Sequence, residues 1–111
     1  AESAEKDSAG PKAAPVSSKK QNRQAEARRR QQLKPYLDVV RKIDRLMSQQ
    51  RVDLTRLEKL LLDESLYTDA SRKEEMTDLL RQQAGLKSSL ETLEWEWLEA
   101  SENLEEAENE L

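Results

Sequence analysis

The sequence contains no cysteine, no histidine and no phenylalanine, and only two glycines and three prolines in 111 residues. Without cysteine there is no disulfide and no thiolate chemistry. Without histidine there is no histidine acid–base step, and zinc ligation by either residue type is excluded. The lack of cysteine fits a cytoplasmic location. So few turn residues, with aromatics at 4%, do not readily build a sheet sandwich or an α/β enzyme. No apolar run approaches the roughly 18 residues that cross a bilayer, so no membrane contact is expected. The N-terminus has no apolar h-region of a secretory signal. It also lacks a starting Met, which reads as a piece cut from a longer chain. A phosphate loop, GxxxxGK followed by Ser or Thr, cannot be written with Gly10 and Gly85 alone. Asp63-Glu64 lacks the spacing of a calcium loop. No catalytic residue, metal ligand or bound cofactor is therefore expected.

What is present is charge, at 38% of residues, and helix formers. Glu, Lys, Arg, Leu, Ala and Gln in this abundance read as long helices. The net charge of −4 conceals an asymmetry between the ends. Residues 16–34 carry Lys19, Lys20, Arg23, Arg28, Arg29, Arg30 and Lys34 against a single acid, Glu26. Residues 88–111 carry nine glutamates and neither Lys nor Arg.

Residues 1–18 are rich in Ala, Ser, Pro and Lys with no periodicity, and read as a disordered linker. Residues 19–111 form the remaining domain, with helices expected at about 20–34, 36–62 and 70–109. The first of these is basic, and only Ala25, Ala27 and Leu33 in it are apolar, so it needs something to pack against. Pro35 removes an amide donor and disfavours helical geometry at Lys34, which predicts a kink or a fresh start there.

Beyond Pro35 a heptad appears. Leu33, Val40, Met47, Leu54 and Leu61 occupy a positions; Tyr36, Ile43, Gln50 and Leu57 occupy d. A second heptad places Met76, Gln83, Leu90, Trp97, Leu104 and Leu111 at a, with Leu79, Leu86, Leu93, Ala100 and Ala107 at d. Between them, Ser71 to Glu74 matches a capping box, with Asp69 as the competing cap. The predicted fold is all-α: an antiparallel two-helix coiled-coil hairpin over roughly 33–111, preceded by a basic helical segment and a disordered N-terminal linker. Such a hairpin satisfies its own seam, so a monomer is expected.

Each heptad has one interior glutamine. Facing Gln50 with Gln83 lets the two amides pair, and sets the numbers of facing residues to sum to 133. The next register, summing to 140, sets each glutamine against a leucine at roughly 1–3 kcal/mol per unpartnered amide. The first register is therefore expected. It brings Arg28 near Glu105, Arg23 near Glu110 and Lys34 near Glu99. Trp97 is expected in the core and Tyr67 as a plug over the hairpin end. Trp95, outside the seam, either covers Pro35 or makes an exposed contact.

The basic lead-in QAEARRRQQLKP, the loop DESLYTDASRKEEM and the second helix LLRQQAGLKSSLETLEWEWLEASENLEE together resemble the C-terminal extension of ABC-F ATPases, most closely the YheS type. The resemblance covers about residues 19–110. The loop SLY-x-x-x-SRK-x-E and the late WLEA are its specific parts. It implies a cytoplasmic parent protein with two ATP-binding cassettes, using ATP and magnesium at sites outside this chain, that acts on the ribosome in translation. In the related Uup type a similar hairpin binds DNA. Carried over by region, that implies weak, salt-sensitive contact with ribosomal RNA or DNA through Lys19, Lys20, Arg23, Arg28, Arg29, Arg30 and Lys34, extended by Arg41, Lys42 and Arg45. No aromatic is interleaved with these cations, so base stacking is not indicated. The competing expectation is a protein-interaction or spacer coiled coil without nucleic-acid contact.

Overall fold

In a computed structural model of the chain, the backbone is described for residues 2–111 and the side chains for residues 18–111. The linker expected at 1–18 lies, but for Ser18, outside the residues described to side chains. Helix α1 spans Glu2–Leu60, α2 is the short Ser65–Thr68, and α3 spans Lys73–Glu110, entered through a 3-10 turn at Ala70–Arg72. α1 packs antiparallel along α3, as the two heptads predict.

The seam is made by the a and d residues. Ile43, Met47, Leu57 and Leu61 of the first heptad and Leu90, Leu93 and Ala100 of α3 are buried. Leu33, Val40, Gln50 and Leu54, with Met76, Leu79, Gln83, Leu86, Trp97, Leu104 and Ala107, are half-buried. Each fully buried Leu, Ile or Met contributes roughly 1.5–3 kcal/mol, so the seam holds the hairpin together rather than any polar contact. Two heptad positions stay exposed: Leu111 at 51%, and Tyr36 at 42%, whose neighbour Leu37 turns partly inward instead.

Pro35 does not end the helix; α1 runs through it. The missing amide strands the carbonyl of Gln31, but Gln31, Lys34 and Pro35 are all exposed, so water can take that acceptor. Helix on both sides then outweighs the local preference of Lys34.

The register differs from the one expected. Val40, Ile43, Met47 and Leu54 gather with Leu90, Leu93, Trp97 and Ala100 in one cluster. Asp53 and Leu57 share a surface groove with Gln82 and Leu86, and Arg29 shares another with Leu111. These groupings fit facing numbers that sum to about 140, not 133. Gln50 then faces Leu90, and its buried Oε1 has no hydrogen-bond partner. Gln83 leaves no buried side-chain atom unpartnered. The cost is thus one orphan acceptor rather than two whole amides, roughly 1–3 kcal/mol. The hairpin end offsets it. In this register Leu61 faces Leu79, whereas a sum of 133 would set it against Arg72.

Leu66, in α2, is the most buried side chain described, at 2% exposure. It plugs the hairpin end in place of Tyr67, which is 58% exposed and donates its hydroxyl to the Leu61 carbonyl at 2.7 Å. Around it the loop is held by side-chain hydrogen bonds. The Arg72 guanidinium grips Glu75 with Nε and Nη2, at 2.9 and 3.0 Å, and reaches Asp63 with Nη1 at 2.8 Å. Nη1 also donates to the Ser65 hydroxyl. Asp63 Oδ1 accepts from the Ser65 amide and hydroxyl at 3.0 and 2.9 Å. The capping box is not formed. Asp69 is the cap, accepting from the Ser71 amide and hydroxyl at 2.9 and 2.7 Å, because a carboxylate is the stronger acceptor.

Candidate nucleic-acid interface

All ten cations singled out in the sequence stand on α1 and all are exposed. None of them joins an ion pair; among the described residues these are Arg72–Asp63, Arg72–Glu75 and Arg81–Asp78. The expected pairs Arg28–Glu105, Arg23–Glu110 and Lys34–Glu99 are not made. The register accounts for this. α3 ends at Glu110, so the chain from residue 18 to 28 has no turn of α3 alongside it, only the terminal Leu111 reaching back over the groove that runs from Asn22 to Gln32. That stretch is a lone helix of about 16 Å, at 1.5 Å per residue.

The helix sorts the cations by face. Successive residues are 100° apart, which puts Lys19, Arg23, Arg30, Lys34, Arg41 and Arg45 within an arc of about 80°. They form a rail roughly 39 Å long, with Lys20 and Asp38 just past one margin, Lys42 farther round, and Glu26 and Asp44 just past the other. Arg28 and Arg29 point elsewhere, Arg29 toward the groove it shares with Leu111. The alternating four- and seven-residue spacing of the rail is present in the sequence, where a simple count of cations obscures it.

Electrostatics divides the rail into two parts. From about Arg30 to Arg41 it runs beside the glutamate-rich end of α3. On the overhang the only acid is Glu26. Nearby carboxylates weaken the attraction of a polyanion for the first part and leave the second unopposed. The overhang therefore carries the most positive surface of the described residues. Its side chains line only shallow, open surface: Lys20, Arg23, Gln24 and Ala27 in one place, Asn22, Glu26 and Arg28 with Leu111 in another. It offers no enclosed site for a small molecule. Among the described residues no group of His, Cys, Asp or Glu is placed to hold a metal ion. Among the described residues no helix is long and apolar enough to cross a membrane.

Trp97 packs on the core cluster as expected, with its Nε1 buried and unpartnered. Trp95 does not cover Pro35; it stands 68% exposed on the outer face of α3.

Over 49 residues the chain is 55% identical to the probable ATP-binding protein YheS of Escherichia coli K12, and equally to that of E. coli O157:H7. It is 53% identical over the same length to that of E. coli O6:H1 strain CFT073. The match covers 44% of this chain and 8% of each relative, so the chain corresponds to a small part of those proteins. No family model matches the chain, and no solved structure matches it. The resemblance to the YheS type is borne out in a direct match: over nearly half its length, this chain is similar to YheS, an ABC-F family protein.

Proposed function

We propose that this hairpin is a non-catalytic accessory region of a cytoplasmic ABC-F ATP-binding protein acting in translation, and that it contacts ribosomal RNA or DNA through the basic face of α1. The observation that carries the reading is the overhang. A helix with four exposed cations between residues 19 and 28, a single acid and no partner helix is built to meet phosphates. The similarity to YheS supports the setting, since those relatives are named as ATP-binding proteins. ATP and magnesium would be held elsewhere in such a parent. Phosphate contact through Lys and Arg gives affinity without sequence choice, and each engaged phosphate adds about 0.9 to the slope of log affinity against log salt.

The test is a titration of the chain with ribosomes, ribosomal RNA and duplex DNA at two salt concentrations. Weak, salt-sensitive binding is expected to one of these. Combined Lys19→Ala, Arg23→Ala and Arg30→Ala, on the rail, should lower the salt slope by roughly 2 to 3. Combined Arg28→Ala and Arg29→Ala should lower it less. Binding that neither set changes would remove the proposal. The other reading, a protein-interaction coiled coil, is favoured by one observation, the exposed Trp95.

A further inference from the structure

We infer that the outer face of α3 around Trp95 is a docking surface for a cationic polypeptide segment that also carries an apolar side chain. Trp95 is 68% exposed and Leu98, one turn on, 46% exposed. In the heptad that places Leu93 and Trp97 in the seam, Trp95 occupies the position farthest from it. Neither the fold nor the loop uses this indole. Trp is among the residues that most often anchor an interface, and Leu98 extends the apolar area beside it.

The surroundings select the partner. Glu91 and Glu99 lie one turn either side of Trp95, and Glu102 one turn beyond Leu98, all exposed. None of these carboxylates takes part in an ion pair among the described residues. An exposed Trp also suits base stacking, but this frame of carboxylates repels a phosphate backbone, and it repels an anionic lipid surface equally. A Lys- or Arg-bearing chain has the opposite sign. Its guanidinium groups can lie over the indole face while pairing with the flanking glutamates, and an apolar side chain can cover Leu98. The surface is separate from the basic overhang, which begins beyond the end of α3. One hairpin can thus hold a polyanion at its open end and a basic protein segment on its acidic side.

The full chain tests this directly: of its two tryptophans Trp95 is the exposed one and emits at the red edge, whereas Trp97 is half-buried. The probe is a synthetic helical peptide with arginines and leucines on one face. Binding is expected to shift the red-edge Trp emission to shorter wavelength. Trp95→Ala should weaken binding by about tenfold or more, read by an end-label on the peptide. Combined Glu91→Gln, Glu99→Gln and Glu102→Gln should weaken it and flatten its salt dependence. Combined Lys19→Ala, Arg23→Ala and Arg30→Ala should leave it unchanged, which separates this surface from the nucleic-acid reading. Because Trp95 is exposed, Trp95→Ala should keep the helical circular dichroism and melting temperature, so a loss of binding is not a loss of fold. Three results would overturn the inference. One is equal peptide affinity with and without Trp95. Another is an RNA-induced shift of the Trp95 emission with none from the peptide. The third is concentration-dependent self-association that the three Glu→Gln changes abolish, which would make a second copy the occupant.

Discussion

Gln50, like Trp97, is a seam residue with a polar atom buried without a partner. Facing Leu90, it forfeits a hydrogen bond and places an amide where a methyl-bearing side chain would pack. Gln50→Leu should therefore stabilise the hairpin by roughly 1–3 kcal/mol, read as a higher midpoint in urea at unchanged slope. The tip residues behave differently because they are charged. Hydrogen bonds from Arg72 and then Ser65 hold the Asp63 carboxyl down at about 2. The Arg72 guanidinium also lowers Glu75, and the Ser71 donors lower Asp69. A carboxylate whose folded pKa is depressed stabilises the fold above its unfolded pKa, near 3.9 for Asp, and loses that contribution as pH falls through the folded value. The hairpin should accordingly lose melting temperature between about pH 4 and 2. Arg72→Ala should lower stability near neutral pH and flatten this acid limb. A limb as steep without Arg72 as with it would show that the tip clamp is not its source.

At the scale of elements, α3 is long, amphipathic and almost free of breakers. Its one weak point is Gly85, where an added Cβ would meet nothing within 4 Å and the residue is exposed. No glycine among the described residues has a positive φ. Gly85→Ala should thus stabilise the helix by up to about 1 kcal/mol, checked by thermal denaturation followed by circular dichroism. The helices were legible in the sequence because their heptads are clean: Leu90, Leu93 and Ala100 are buried where the pattern places them. Three local features were not legible. Pro35 reads as a breaker, and only the exposure of Gln31 explains why a helix tolerates it. Ser71 matches a capping box in spacing, but Asp69 is two residues nearer the loop and a better acceptor. Leu66 and Tyr67 are adjacent and equally plausible as plugs; which one turns inward depends on the short α2 turn, which no periodicity announces.

For the whole molecule the decisive quantity is the register, and the same seven-residue repeat that reveals the hairpin makes neighbouring registers hard to tell apart. Pairing two glutamines is a sound argument about polar groups. It omits the ends, where a shift of seven residues decides whether Leu61 meets Leu79 or Arg72. Crosslinking measures this. Combined Gln50→Cys and Leu90→Cys should form an intramolecular disulfide under mild oxidation, whereas Gln50→Cys with Gln83→Cys should not, since seven residues of offset is about 10 Å along the axis. The reverse outcome would restore the register that pairs the glutamines. The candidate site was legible to a similar degree. The cations are plain in the sequence, but their grouping into a rail needs the helix to continue through Pro35. Their freedom from the glutamates of α3 needs the register.

Arg29 beside Leu111 also means that α1 and the end of α3 meet at the same end of the hairpin, with Leu66 closing the other. The structure is therefore mechanically anisotropic. A pull that separates residue 30 from residue 110 loads one seam layer at a time and should unzip the helices progressively at low force. A pull between the tip and that open end loads the layers together, in shear, and should meet far greater resistance. A ligand gripping the basic overhang would stiffen or release this hairpin according to the direction in which it is drawn.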